Sequence, residues 1–207
     1  FGDLSHCLTL RALALWSHRI GRSDDERIRL LVPISLRKRS DFSWGSCNRV
    51  SYAFLGRSIR ECLSSPRNLL QSVHAENEFI KRHHPEIYFL KAISALERAR
   101  LWPLLKALPL CLSSAVMTQL NSTYLTGLFH REKTGVRMGN TTWLYSYGTP
   151  PIRRLTRVAV GICKNPGGWS LALTTDPSHF DERQSLRLLE SMAETWRGAA
   201  MGDEFSL

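Results

Sequence analysis

The stretch from Leu30 to Arg57 constrains the fold more than any other part of this sequence. It begins with a nearly continuous apolar run, Leu-Leu-Val-Pro-Ile-Ser-Leu, which is typical of a strand buried inside a sheet. A charged and aromatic crossing from Arg37 to Cys47 follows, and a second strand is predicted from Asn48 to Arg57. We therefore expect Leu30–Leu36 to be one of the central strands of a sheet.

Helical patterns lie on both sides of this pair of strands. Asp3–Ile20 carries apolar residues at helical spacing, with Asp3 as its N-cap, and a polar loop is predicted from Gly21 to Arg29. Ser65-Pro66 is a typical helix start, and the helix after it is interrupted at Pro85. One face of the first helix carries Leu69, Val73, Asn77 and Ile80. A second helix is expected from Glu86 to Leu108, bent or broken near Pro103.

The C-terminal part reads as strands followed by a helix. The predicted strands are Ala115–Leu120, Thr141–Tyr147, Thr156–Lys164 and Trp169–Thr175, the last two forming a hairpin with three to five linking residues. Asp181 and Gln184 have the spacing of a capping box for the last helix, which ends near Gly198. Its predicted apolar face is Leu186, Leu189, Ala193 and Trp196. The order of elements predicts an α/β fold: a mixed β-sheet with flanking helices.

Basic residues are concentrated in one part of the chain, whose 207 residues carry a formal net charge of +10. From Arg131 to Lys164 there are seven basic residues and one acid, whereas acids dominate from Asp176 to Glu204. The two faces could simply be solvated, or the basic one could bind phosphates, an acidic carrier protein or nucleic acid. The candidate residues for an anionic partner are Arg131, Lys133, Arg137, Arg153 and Arg154.

Several classes of site do not fit the sequence. The five cysteines are scattered and never spaced as CxxC, which favours reduced thiols in a cytoplasmic protein over a zinc site or disulfides. No Gly-rich phosphate loop and no GxSxG motif is present, and we expect no metal site, no signal peptide and no membrane span. The acidic loop Asp24–Glu26 is a weak metal candidate.

Two further residue groups have both a structural and a functional interpretation. His83-His84 lies at a predicted helix end, where cations favour the helix dipole, and the other five histidines are far apart in sequence without ligand spacing. Trp143, Tyr145 and Tyr147 could stack on nucleic-acid bases near the arginines, but aromatic residues alternating along a strand more often form one packed face.

Four segments in order resemble the C-terminal half of the CoA-dependent acyltransferase superfamily, which includes chloramphenicol acetyltransferase, peptide-synthetase condensation domains and wax-ester-synthase/diacylglycerol acyltransferases. They are Gly2-Asp3 before a helix, Val32–Arg37 (VPISLR), Gly45–Leu55 with Asn48, and Val116–Asn121. Essentially the whole chain is covered, and VPISLR is the most specific match. Gln119 and Asn121 depart from the family pattern, and Gly2 replaces its first Asn.

The resemblance implies a two-layer sandwich like half of chloramphenicol acetyltransferase, with residues 1–207 forming a single C-terminal subdomain. The family's HHxxxDG motif, whose second His is the general base, belongs to an N-terminal half, and His83-His84 has Tyr88 where that motif needs Asp. We therefore expect a fragment of a longer protein, inactive alone and containing no catalytic residue. The implied substrate-tunnel candidates are Arg37, Asn48, Thr118 and Gln119.

Two function hypotheses follow. The first is an acyltransferase or condensation-type enzyme that transfers an acyl group from CoA or a carrier-protein phosphopantetheine thioester to a hydroxyl or amine. Its expected partners are its own N-terminal half, an acyl carrier protein or CoA, and a second copy through the uncovered half-interface. No covalently bound cofactor is expected. The alternative is a non-catalytic module whose basic run, 131–164, binds nucleic acid or another anionic partner, which strongly salt-dependent binding would indicate.

Overall fold

The protein is described by a computed structural model that covers residues 2–36, 50–101, 115–121, 130–132, 135–138, 140–143, 145, 147–152, 156–165 and 168–201. Within these residues five helices and eight strands follow one another along the chain. In chain order they are α1 (Gly2–Arg19), β1 (Arg27–Ser35), β2 (Val50–Ser58), α2 (Ile59–Leu63), α3 (Pro66–His83), α4 (Pro85–Arg98), β3 (Ala115–Asn121), β4 (His130–Glu132), β5 (Gly135–Met138), β6 (Thr141–Trp143), β7 (Val158–Asn165), β8 (Gly168–Thr175) and α5 (Glu182–Met201).

Five strands form one mixed sheet in the order β2-β1-β3-β7-β8. β1, β3 and β7 run parallel to one another, whereas β2 and β8 are antiparallel to their neighbours at the two edges. The helices α2 to α4 lie between β2 and β3 in sequence, and these two strands run in opposite directions on either side of β1. A second, three-stranded antiparallel sheet has the order β4-β5-β6. The predicted α/β class and the interior position of the first strand are confirmed.

Successive side chains along each strand point alternately to the two faces of the large sheet. Ile28 and Leu30 of β1 face a core that also contains buried residues of α1, α3 and α5, whereas Leu31 belongs to a smaller cluster with Phe54. On the second face Phe89 of α4 meets Phe54 edge-on at a ring-centroid distance of 5.4 Å. The sheet is therefore the middle layer, with most of the helical packing on one side.

Most predicted elements are confirmed, with differences at their ends. The polar loop predicted up to Arg29 is shorter, because β1 begins at Arg27. β7 and β8 form the expected hairpin, but Asn165 pairs with Gly168, so two residues link the strands rather than three to five. The short helix α2 is an addition to the predicted elements; it begins at a capping box between Ser58 and Glu61.

Helix α4 is shorter than the sequence predicts. It ends at Arg98, and Arg100 adopts a left-handed backbone with φ of 56°. A residue in this conformation cannot continue a right-handed helix, so the predicted extension toward Leu108 is wrong at this point. Residues 102–108 lie outside the described ranges. Of the helices that the structure describes, none combines the length and the apolar character needed to cross a membrane.

The buried face of α5 differs from the predicted one. Leu188 and Met192 are fully buried, whereas Leu186 is 56% exposed. Two small polar residues complete the buried stripe: Thr195 Oγ1 donates to the Ser191 carbonyl, and Ser191 Oγ accepts from Arg19 of α1. Their hydroxyl groups are hydrogen-bonded and can be buried, so the buried stripe is shifted from the predicted face, of which Leu186 is exposed and Trp196 still packs against the core. The helix also continues past Gly198 to Met201.

The capping box at the start of α5 is present. The Gln184 N–H donates to Asp181 Oδ1 at 2.7 Å, and the Asp181 N–H donates to Gln184 Oε1 at 2.9 Å. Replacing Asp181 by alanine leaves one of these N–H groups without its acceptor, and we expect the free energy of unfolding to fall by about 1 kcal/mol in urea denaturation. Asp181→Asn keeps an acceptor oxygen and is the matched control. Equal losses in both variants would contradict the capping role.

Gly161 allows the backbone of residues 148–150 to approach β7 closely. A Cβ atom at this position would collide with the Gly148 carbonyl oxygen and lie 3.1 Å from Pro150 Cδ. We expect Gly161→Ala to lower the free energy of unfolding by about 1–3 kcal/mol, as overpacking does in tight cores.

Gly198 supplies the control for this substitution. It is helical, and a Cβ atom added to it would have nothing within 4 Å, so Gly198→Ala is expected to raise stability by about 0.5–1 kcal/mol. Chemical denaturation of both variants measures the difference. An unchanged stability in Gly161→Ala would contradict the close approach.

Candidate functional site

The ladder between β1 and β3 ends before the carboxyl ends of the two strands, and we call this region the opening between β1 and β3. The two parallel strands pair only at Leu30–Ala115 and Leu31–Val116, after which no ladder joins them in the described residues. β3 instead continues along β7 from Ala115 to Asn121. Pro33 follows this point, and because it has no N–H to donate, it suits a strand segment with one hydrogen-bonded neighbour. In open α/β sheets, a crevice at the carboxyl ends of diverging strands is a common ligand position.

Of the four predicted tunnel residues, two lie in a strand that the structure describes. Thr118 and Gln119 lie in β3 beyond the last pair with β1, in register with Gly161 and Ile162 of β7. Arg37 and Asn48 lie outside the described residues. Each is two positions in sequence from a described strand end, Ser35 and Val50, and these two ends pair with each other. The strand register places Ser35, Val50 and the last residues of β3 at the same end of the sheet.

The predicted anionic-partner residues are only partly described. Arg131 lies in β4 and Arg137 in β5, and the register pairs Arg131 with Val136 and Arg137 with His130. Lys133, Arg153 and Arg154 lie outside the described residues. In the sequence between Arg137 and Arg153, Tyr145 is 63% exposed and Tyr147 is 83% exposed, and neither lies in a strand. The prediction that they form one packed face of a strand from Thr141 to Tyr147 is therefore wrong.

A buried carboxylate lies near the start of β2, at the same end of the sheet as the opening between β1 and β3. Glu86 of α4 is only 3% exposed, and its Oε1 lies 2.9 Å from Nδ1 of His84. Ser51 of β2 is fully buried and donates from Oγ to the Glu86 carbonyl oxygen at 2.7 Å. Because the serine proton is used on a main-chain carbonyl, the three residues do not form a nucleophile–base pair. They hold the α3–α4 junction against the edge strand.

His83 and His84 lie at the end of a helix, as predicted. His83 is the last residue of α3, and its ring stacks on that of Phe79 with the ring centroids 4.2 Å apart. His84 adopts a left-handed conformation with φ of 51° between α3 and α4. No signal in the sequence indicates the burial of Glu86, because a glutamate in the first turn of a helix is normally exposed.

A polar network joins the start of α1 to α3. Asp3 Oδ2 lies 2.6 Å from His74 Nδ1, and Asn77 Nδ2 donates to Asp3 Oδ1 at 2.7 Å and lies 3.1 Å from His6 Nδ1. Asp3 is not the predicted N-cap: it lies inside the first turn of α1, and its carboxylate bonds to α3. His6 and His74 are therefore close in space, although they are far apart in sequence. Asn77 is the available signal, because a polar residue on the buried face of α3 requires a hydrogen-bond partner.

His6 is buried, at 7% exposure, and burial lowers its pKa to about 4. The Asn77 amide nitrogen can only donate hydrogen bonds. It therefore donates to His6 Nδ1 as well as to Asp3, and His6 Nδ1 is unprotonated. The ring proton is then on Nε2, which is buried without a hydrogen-bond partner among the described residues. His6 is thus a neutral part of the α1–α3 contact.

Other titratable groups are engaged in local pairs. In the acidic loop Asp24 lies 3.0 Å from His18 Nδ1, and Asp25 lies 3.1 Å from Arg60.

Burial raises the pKa of Cys7 to about 11 and that of Cys62 to about 12, so both remain thiols. Within the described ranges no group of three or more His, Cys, Asp or Glu residues is placed to bind a metal ion.

Comparison of the chain with protein-family models and with curated proteins finds no match.

Proposed function

We propose that this chain is the C-terminal half of an acyltransferase or condensation-type enzyme of the CoA-dependent acyltransferase superfamily. The observation that supports the proposal is the early end of the β1–β3 ladder, because β1 and β3 carry two of the segments that resemble the family and Thr118 and Gln119 lie in β3 beyond that point. The VPISLR match supplies β1, and the Val116–Asn121 match supplies β3. In the proposed protein these two strands would form the two sides of one crevice.

The described elements form a mixed α/β fold, and in the proposed half of the chloramphenicol acetyltransferase type the sheet and the helices α1, α3 and α5 would be the two layers, with α4 added on the other face. The mixed sheet has α1, α3 and α5 on one face and α4 on the other. In the proposed protein the opening forms one wall of a substrate tunnel, and a second half forms the other wall. Polar groups on this wall would orient the acyl thioester and exclude water, which raises the effective concentration of the reacting groups.

The general base is assigned to the other half. Its histidine would take the proton of the acceptor hydroxyl or amine, whose oxygen or nitrogen attacks the thioester carbonyl and releases the thiolate of CoA or phosphopantetheine. A base must lie within hydrogen-bond reach of the proton, and Ser51 and Glu86, at the same end of the sheet but on the β2 side of β1, are buried and bonded to their own chain. The role of this chain is therefore substrate binding and orientation.

The tunnel wall can be tested in the natural protein that contains this chain. Thiol release from a panel of acyl-CoA donors with alcohol and amine acceptors reports turnover. Gln119→Leu removes a polar group from the proposed wall, and we expect kcat/KM to fall at least about tenfold. The matched control is Gln71→Leu, which changes an exposed glutamine of α3 and should leave turnover unchanged. Equal effects of the two substitutions would contradict the proposed position of the wall.

A second candidate function is binding of single-stranded nucleic acid, and the exposure of Tyr145 and Tyr147 favours it. Exposed aromatic rings beside basic residues provide stacking surfaces for bases, and Arg131 and Arg137 lie in the neighbouring strands β4 and β5 by sequence. Fluorescence anisotropy with a labelled oligonucleotide across a salt series tests this candidate. Steeply salt-dependent binding that Tyr147→Ser weakens would support it, and no binding at low salt would contradict it.

A further inference from the structure

A cavity lies at the amino-terminal end of the parallel strands, and the opening between β1 and β3 lies at their carboxyl end. Its volume is about 230 Å³, and its floor includes Ile28 at the start of β1 and Val158 at the start of β7. The opening between β1 and β3 lies at the other ends of these parallel strands. The cavity is therefore separate from the proposed substrate tunnel, and a ligand bound in it would not occupy that tunnel.

One wall of the cavity is aromatic. Trp16 of α1 and Phe180, just before α5, are stacked with their ring centroids 6.3 Å apart and their planes at 28°. Leu13 and Ile59 add aliphatic surface next to them. A flat apolar ligand would contact these rings over a larger area than a branched one and would bury apolar surface at the same time.

The rim of the cavity is basic. It includes Arg22, Arg27 and Arg157, against the single carboxylate of Glu26. Glu26 lies 3.8 Å from Arg22 and offsets its charge. The Arg27 guanidinium donates to the Gly56 carbonyl and lies on the same face of the sheet as Arg29, opposite to Ile28, so it does not supply donors to the cavity. Arg157 is exposed and forms no ion pair with another described residue.

Gln184 contributes a further donor at the rim. Its Oε1 accepts the Asp181 N–H in the capping box, so the amide NH₂ group is left to donate. An apolar floor combined with guanidinium and amide donors matches a ligand with an apolar body and one carboxylate, because arginine binds carboxylates through paired N–H groups.

The volume sets the size of the ligand. A dry cavity of about 150 Å³ holds benzene, so a cavity of about 230 Å³ has room for a body of up to two fused rings. We propose that this cavity is a binding site for a small aromatic carboxylate, with the rings against Trp16 and Phe180 and the carboxylate at Arg157 and Gln184. It is independent of the proposed acyltransferase function.

Isothermal titration calorimetry of this chain with 2-naphthoate tests the proposal. We expect one saturable site with a Kd of about 1 mM or below, which is typical of a ligand of this size. The neutral analogue 2-naphthalenemethanol should bind at least about tenfold more weakly, because it lacks the charge-assisted hydrogen bonds. Absence of saturable binding of 2-naphthoate, or equal affinity for the two compounds, would overturn the proposal.

Three variants assign the binding to this cavity. Arg157→Gln changes an exposed residue and should weaken 2-naphthoate about tenfold without affecting the fold. Ser17→Trp places a large side chain in the cavity and should abolish binding, with circular dichroism confirming that the variant is folded. Arg187→Gln removes the same charge from an exposed position of α5 outside the cavity, and should leave the affinity unchanged. Equal affinities of the Arg157 and Arg187 variants would overturn the proposed site.

Discussion

Leu188→Ala is expected to lower the free energy of unfolding by about 2–5 kcal/mol, the range typical of leucine deletions in a packed core. Leu188 is fully buried in the main cluster, where α5 packs against α1 and β8. The substitution removes the transfer free energy of the lost methyl groups and leaves a cavity that the surrounding helices can fill only in part. Urea denaturation, with the slope against urea concentration unchanged, measures the loss.

Leu186→Ala is the matched control, because it is the same substitution two residues away in the same helix. Leu186 is exposed, so we expect a change within about 0.5 kcal/mol. The comparison determines which face of α5 is buried. A larger loss in Leu186→Ala than in Leu188→Ala would support the face predicted from the apolar residues and contradict the structure.

Acidification is expected to remove about 3 kcal/mol of stability between pH 6.5 and pH 4 through His6. Burial lowers the pKa of His6 from 6.5 to about 4 in the folded protein. Between these two values the unfolded chain binds a proton at His6 and the folded protein does not, so the free energy of unfolding falls as the pH decreases. Protonation would also place a charge beside the Asn77 amide group, which donates to the same ring.

His6→Gln tests this origin of the acid sensitivity. The variant has no titrating group at position 6, so its stability should depend less on pH between 6.5 and 4 than that of the original chain. At pH 7 the two proteins differ only through packing and hydrogen bonding, which provides the internal control. The pKa of Asp3 is lowered by its hydrogen bonds with His74 and Asn77, against the opposing effect of burial, so its stabilisation is lost only below about pH 3.8. If the free energies of unfolding of His6→Gln and of the original chain changed equally with pH above that value, the prediction would be contradicted.

The main sheet is predictable from the sequence because its strands carry strong local signals. The apolar run in β1 and the Val- and Ile-rich β7 are typical of parallel interior strands, which give such continuous patterns. The capping box of α5 is also predictable, since both partners lie within one turn. In each case the physical cause lies within a few residues of sequence.

The remaining features depend on contacts between distant segments. The α1–α3 network requires Asp3 and Asn77 to meet, and only tertiary packing brings them together. The buried face of α5 depends on hydroxyl groups of Ser191 and Thr195 that are satisfied in the folded state. The end of the β1–β3 ladder at Leu31 is likewise a tertiary feature, although Pro33 marks its position in the sequence.

The proposed acyltransferase has one tunnel wall in this chain and its general base in another half. Its most direct test compares thiol release from acyl-CoA by the natural protein that contains this chain and by residues 1–207 alone, at equal concentrations. We expect turnover by the natural protein, its loss when the second histidine of an upstream HHxxxDG motif is changed to alanine, and none by residues 1–207. Turnover by residues 1–207 at the rate of the natural protein, or a natural protein without that motif, would contradict the proposal.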